Sequence, residues 1–255
     1  MASLVEVERR KGLGLIFMAR EDKLNALNKD MMRELRNAID TLEADDDVKI
    51  IALTGRGKAF SAGIDLRELA ESKDPDEAAI LFKELSKLFE RLLLVRKPLI
   101  IGVNGIAYGG GAELLWAGDI VVAVRDARIA WPEAKWGLIP PILSTIGPLL
   151  LVPQRAAYLA MTSKTITADE ARSMGLVSLV VETESDLIKV IEDIASHILQ
   201  HSPQAILAIK RMITHAKLNV YTSLGISELE RLSRTKEALE AAKSFKAKRS
   251  PSYKW

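Results

Sequence analysis

Two glutamates stand in settings suited to proton transfer. Glu113 closes the run Asn104-Gly105-Ile106-Ala107-Tyr108-Gly109-Gly110-Gly111-Ala112-Glu113. Three successive glycines are costly to order unless the backbone needs unusual angles or a close approach. They precede residues 112–117, a good helix start. The first N–H groups of such a helix have no internal partner and can face an anion. Glu113 would then stand in the first turn. A flexible loop with a first-turn acid favouring the helix dipole is the alternative; it ranks lower between a buried-type strand and an apolar helix. Glu133 lies between Trp131 and Trp136, ahead of the apolar run 138–153. Apolar surroundings raise a carboxyl pKa toward neutrality, where it can both give and take a proton. A surface glutamate paired with Lys135 fits the same residues equally well.

A third segment, residues 58–66, contains Ser61, Ala62 and Gly63, small enough for close approach of backbone to a ligand. It follows a β-rich run at 49–54, and open α/β sheets bind ligands at the C-terminal ends of their strands. Taken alone, a plain strand-to-helix turn explains this segment better.

Other chemistries are excluded by composition. The chain has 255 residues, 48% hydrophobic and 27% charged, with a formal net charge of +2. No overall field calls for nucleic acid. There is no cysteine, hence no disulfide, thiol nucleophile or zinc–thiolate site. The three histidines, His197, His201 and His215, lie late on helical patterns, so a metal site and a Ser-His pair are not expected. A serine protease fails for want of a base beside Ser61 or Ser144. The N-terminus has no secretory h-region, and the run 138–153 carries four prolines and is shorter than the roughly 20 residues of a membrane helix. It reads as a buried or pocket-lining segment, and the protein as soluble and cytoplasmic.

The elements that must position these residues alternate between strand and helix. Runs 4–9 and 13–18 predict a pair of strands around Lys11-Gly12; 49–54, 99–103 and 120–124 predict further strands, the last near-continuously apolar, as buried parallel strands are. Asn28 predicts the cap of a helix with Met31, Met32, Leu35, Ile39 and Leu42 on one face. Phe82, Leu85, Phe89 and Leu92 mark a second helix. Leu187, Val190, Ile191, Ile194 and Ile198 mark a third. Ser202-Pro203 starts a fourth, with Ala205, Ala208, Ile209, Met212, Ile213 and Ala216 as its stripe. The order is α/β first, then helices, without a clear linker. We divide it into an α/β core at 1–195 and a C-terminal helical region at 196–255.

Together and in this order, the three segments resemble the crotonase family, the enoyl-CoA hydratases and isomerases. Lys23-Leu24-Asn25-Ala26-Leu27-Asn28 is similar to its N-terminal signature, Ala62-Gly63-Ile64-Asp65-Leu66 to its AGxD loop, and Gly109-Gly110-Gly111-Ala112-Glu113 to its GGGxE helix start. Pro132-Glu133 with Gly137-Leu138, Ala168-Asp169-Glu170-Ala171 with Gly175-Leu176-Val177, and Phe245-Lys246-Ala247-Lys248-Arg249 resemble its remaining motifs. The resemblance implies a crotonase-like spiral of repeated ββα units and a C-terminal helical region that drives formation of a homotrimer or a dimer of trimers. It implies an oxyanion hole from the N–H groups of Ile64 and Gly110, which would stabilise a thioester enolate. It implies Glu113 and Glu133 as the catalytic pair, adding water to a trans-2-enoyl-CoA.

The resemblance further implies that coenzyme A, as part of the substrate rather than a cofactor, contacts Lys23, Ala26, Ala62, Asp65 and Leu66. Phe245 and Lys248 would approach it from a neighbouring subunit. Residues 236–255 hold six basic side chains (Lys236, Lys243, Lys246, Lys248, Arg249 and Lys254) against Glu237 and Glu240, six minus two or +4, which suits phosphates; a solvated helix end is equally compatible.

The chain departs from the pattern after the third motif. Where hydratases usually carry P-G-x-G-G-T, it has Pro140-Pro141-Ile142-Leu143-Ser144-Thr145. Pro141 takes the place of a glycine whose N–H often helps hold the catalytic water, and proline has none. A double-bond isomerase, or another reaction through an enolate, is therefore the second reading. A non-catalytic CoA-binding or RNA-associated module is a third, supported only by the basic tail and opposed by the retained acids.

Overall fold

The computed structural model describes residues 3–71, 75–220 and 224–253. Among these, ten strands follow one another: β1 (Val5–Arg10), β2 (Leu13–Met18), β3 (Ile50–Gly55), β4 (Ala59–Ser61), β5 (Leu99–Val103), β6 (Ile106–Tyr108), β7 (Ile120–Val124), β8 (Arg128–Ala130), β9 (Ile166–Thr167) and β10 (Leu179–Val181). β1 and β2 form the expected hairpin, with Lys11 and Gly12 both at positive φ, the geometry that matches strand twist across a two-residue turn. From β2 onward, the six-stranded sheet β1-β2-β3-β5-β7-β10 is parallel. A second sheet, β4-β6-β8-β9, runs parallel except for its last pair.

The chain winds between these sheets in a repeat. β3, β5 and β7 enter the large sheet; β4, β6 and β8 follow them at once into the small one; a helix or helical turn then returns the chain. This is the spiral of ββα units. Its strands β2, β3 and β5 are buried along their whole length, which is why they read as unbroken apolar runs rather than as an alternation. Each repeat therefore turns at the same end of the large sheet and presents a strand-to-helix loop there.

The helix Lys29–Ala44 begins where expected. Asn28 accepts the Met31 amide at 2.8 Å, and Met31, Met32, Leu35, Ile39 and Leu42 are all buried. The third expected helix, Glu184–Leu199, buries Leu187 and Ile191, but Ile194 and Ile198 only partly. The division after residue 195 falls inside this one helix.

Two apolar stretches behave differently from the sequence expectation. The run 138–153 breaks into helices Pro141–Thr145 and Gly147–Leu150; Ile142, Leu143 and Ile146 are buried, whereas Leu149, Leu150 and Val152 are exposed. The fourth helix, Pro203–Val220, leaves Ile209 and Met212 exposed and buries Lys210 instead. Beside the packing of Leu218 on the core, polar contacts attach it: Lys210 Nζ pairs with Asp119 Oδ2 at 2.7 Å, and Lys217 Nζ donates to the carbonyls of Ala117 and Gly118 at 3.1 and 2.6 Å. Burial lowers the Lys217 ammonium to a pKa of about 8. An apolar stripe satisfies the helical period whichever surface it meets, so periodicity could not tell the core from an exposed flank.

Among the described residues, no helix is long and apolar enough to cross a membrane.

Candidate active site

The loops after β4, β6 and β8 converge. Gly63, at φ +89°, brings its segment against the Tyr108–Gly110 backbone so closely that an added Cβ would lie 2.5 Å from Tyr108 O and 3.1 Å from Gly110 N. The amides of Ile64 and Gly110 share this small space. Among the described residues, neither donates a hydrogen bond to another group. Ile64 is instead fixed through its neighbours: Gly63 O accepts from Leu27 N, and Asp65 N donates to Leu27 O, at 2.8 and 3.1 Å. Gly63→Ala is expected to be folded but slowed by about 10²-fold in kcat, the scale of losing an oxyanion donor; steady-state kinetics beside a circular-dichroism spectrum checks it.

The expected helix at 112–117 is a four-residue α-turn, Gly110–Glu113, continued as a 3₁₀ turn, Leu114–Ala117. Glu113 is 1% exposed. Its Oε2 accepts the Ile142 amide at 2.5 Å and its Oε1 the Leu143 amide at 3.1 Å. These are the second and third residues of the helix Pro141–Thr145, so Glu113 caps that helix from outside the segment. Pro141 occupies the first helical position, where a missing N–H leaves nothing unsatisfied.

Glu133 opens the 3₁₀ turn Glu133–Trp136. Its Oε2 is shielded from solvent with no hydrogen-bond partner, and no ion pair with Lys135 is found among the described residues; the surface reading is overturned. Gly109, at φ +52°, lies directly beneath: a Cβ there would sit 3.1 Å from Glu133 Oε1. Burial pushes the Glu133 carboxyl up to about 8. Burial, then the nearness of Glu133, pushes Glu113 up as well, while the Ile142 and Leu143 amides oppose that rise. Both carboxyls line one cavity of about 350 Å³, together with Ile64 and Gly110. Its apolar wall comes from Phe82, Leu85, Leu138, Ile139 and Leu229.

The remaining expected residues are dispersed around this cavity and an adjoining one. Leu66 and Ala62 line the first cavity. Ala26 is buried, and Lys23 is half-exposed beside Asp22. Asp65 is committed elsewhere: its carboxylate pairs with Arg20 at 2.6 Å and accepts the Arg67 amide at 3.1 Å, making it a fastener of the loop. Phe245 and Lys248 line a cavity of about 610 Å³ with Arg67 and Trp136 of the same chain. Of the basic tail, Lys254 lies outside the described residues.

Sequence reasoning missed the residues that hold the loops. Asn25, fully buried at φ +54°, accepts from Arg20 N and donates to the Arg56 and Ala59 carbonyls. Ser61 Oγ donates to Asn25 O and accepts from Gly63 N, at 2.8 and 3.1 Å. A polar residue within an otherwise apolar signature was the available signal for Asn25. Ser61 gives no comparable one.

The spiral brings two main-chain amides and two glutamates, one buried and one half-buried, onto a single cavity, an arrangement suited to an enzyme. Residues 8–255 match the family described as enoyl-CoA hydratase/isomerase. The chain belongs to that family. It is 37% identical over 213 residues to the short-chain-enoyl-CoA hydratase of Clostridium acetobutylicum, covering 82% of this chain and 80% of that one. It is 32% identical over 250 residues to the 1,2-epoxyphenylacetyl-CoA isomerase of Escherichia coli, covering 95% of each. The crystal structure of an enoyl-CoA hydratase/isomerase from Xanthobacter autotrophicus Py2 superposes with a TM-score of 0.88 at 26% identity, covering 97% of this chain and 94% of that one.

Proposed function

We propose that the protein is an enoyl-CoA hydratase acting on trans-2-enoyl-CoA thioesters. The observation that supports this reading is the unequal surroundings of the two acids. Glu113 receives two main-chain amides, whereas Glu133 Oε2 receives no donor. Two adjoining buried carboxyls cannot both ionise readily, so the pair holds a proton near neutral pH. Burial raises both carboxyls; because amide donors favour the charged form, this reading assigns the charge to Glu113 and the proton to Glu133.

Hydration needs that asymmetry. Each Glu113 oxygen keeps acceptor capacity beyond the amide it already binds, enough to hold a water. Glu113 takes a proton from this water as its oxygen bonds to C3. The C2–C3 π electrons move toward the thioester carbonyl, whose oxygen becomes the enolate oxygen between the Ile64 and Gly110 amides. The enolate collapses as C2 takes the Glu133 proton, and the proton on Glu113 restores the pair. Coenzyme A serves as the substrate's handle, and the reading invokes no separate cofactor. Lys23, Ala26, Ala62 and Leu66, with Phe245 and Lys248, are the proposed contacts to it, with Asp65 supporting them through Arg20.

The same reading includes a homotrimer or a dimer of trimers. Its support is the exposed apolar surface at Leu149, Leu150, Val152 and Met161, and at Ile209 and Met212.

A second reading, a double-bond isomerase using Glu133 alone, is favoured by Pro141, which has no N–H for a water. The deciding test is a panel of 2-enoyl and 3-enoyl-CoA thioesters in water labelled with oxygen-18. We expect labelled 3-hydroxyacyl products from 2-enoyl substrates. Conversion of 3-enoyl substrates to unlabelled conjugated isomers, with no labelled product from any 2-enoyl chain length, would establish the isomerase.

A further inference from the structure

We infer that the C-terminal segment is a positioning device for the proton-carrying turn, so that filling the nucleotide end of the substrate site sets Glu133 for catalysis. The inference rests on the acyl-CoA reading above and goes beyond it, from what the site binds to how one end of the ligand acts on the other.

The turn Glu133–Trp136 is gripped by this segment at three places. The Trp136 and Phe245 rings meet edge to face, with centroids 5.8 Å apart and planes at 80°. Tyr253 Oη donates to Lys135 O at 2.8 Å. Gly137, which ends the turn at φ +67°, lies so close to the helix Lys236–Lys246 that a Cβ would be 3.1 Å from the Glu237 backbone and 3.2 Å from Ala238 N. Glu133 itself contributes little restraint, because its Oε2 has no hydrogen-bond partner. Its position is inherited from the turn, and the turn's position from the helix.

The two cavities meet at the same point. Trp136 lines both the acid-bearing cavity and the larger one. The larger cavity is lined by Arg67, Lys246 and Lys248 against the single acid Glu71, with Phe245 beside them and Arg249 held by Glu240 at 2.7 Å; three basic side chains and a ring suit a phosphate-bearing nucleotide with an aromatic base. A ligand there touches Phe245, which touches Trp136, which is three residues from Glu133. Binding energy gathered far from the reacting carbons is thereby used to order a reacting group, and substrates lacking that end lose kcat as well as affinity. Trp136, Phe245 and Tyr253 are positioning residues in this scheme.

The experiment uses the full chain and three ligands: a 2-enoyl-CoA, the matching N-acetylcysteamine thioester, and adenosine 3′-phosphate 5′-diphosphate. The expected result is that the nucleotide, which cannot react, raises kcat on the truncated thioester by about tenfold, as partial recovery of a group's placement would. Phe245→Ala should remove the activation and lower kcat on the CoA thioester, Phe245→Leu should restore part of both, and thermal melts should show each variant folded. A nucleotide that competes with the CoA thioester yet leaves kcat on the truncated thioester unchanged overturns the coupling and spares the acyl-CoA reading. A nucleotide that does not bind, with no turnover of any CoA thioester, overturns both.

Discussion

Glu133→Gln is expected to lower kcat by about 10²–10⁴-fold, the range for losing a positioned general acid. Glutamine keeps the volume and cannot deliver the proton to C2. The wild-type pH profile carries the same signature. Glu133 must be protonated to act, and its pKa is held at about 8 by burial, so the rate should fall as pH rises through about 8. Stability follows the same direction. The folded-state pKa lies above the ordinary carboxyl value of 4.5, so the folded chain binds more protons between those two values. The stability linked to this proton is fully present below about pH 4.5 and is lost as pH rises through about 8. In Glu133→Gln that loss is absent. The variant should therefore melt higher than the wild type at pH 9 while being far less active at pH 7. Parallel thermal melts and kinetics across pH 5–9 check this; an unchanged alkaline limb in the variant's residual rate would assign the titration to another group.

Glu113→Ala should be damaging in two separable ways. It removes the acceptor of the Ile142 and Leu143 amides, leaving buried donors unsatisfied at a cost of about 1–3 kcal/mol each. It also removes the group proposed to take the proton from water, a further loss of about 10²–10⁴-fold in hydration. Glu113→Gln divides the two. The side-chain amide can still accept one main-chain N–H, recovering part of the stability, but it cannot act as base. A urea titration of both variants should thus rank wild type above Gln above Ala, with both variants inactive in hydration. Turnover that survives in Glu113→Gln while Glu133→Gln is inert would leave Glu113 as a cap alone and shift the assignment to isomerisation.

Pro141 shows how a departure in the sequence acquires meaning from the fold. On the page of residues it is a missing donor. In the folded chain it is the first residue of a helix whose next two amides point at Glu113, where a proline is well suited. The substitution that raises doubt about a water-binding amide also supplies the helix start that orders Glu113.

Much of this protein was legible before folding was considered. Hairpin, buried parallel strands and the Asn28-capped helix follow from residue periodicity and turn chemistry, because both act over a few neighbours along the chain. Glu113, Glu133 and the glycine run stood out because their residue types are costly without a purpose. The tertiary structure alone decided whether the Glu133 carboxyl was shielded or solvated, since that depends on Gly109 arriving from a different segment. It alone decided that Asp65 pairs with Arg20, that Asn25 and Ser61 tie the loops together, and that the stripe of helix Pro203–Val220 stays exposed. These are contacts between residues distant in sequence, and a local pattern records which side chains are available without recording which neighbours the closed spiral brings to them.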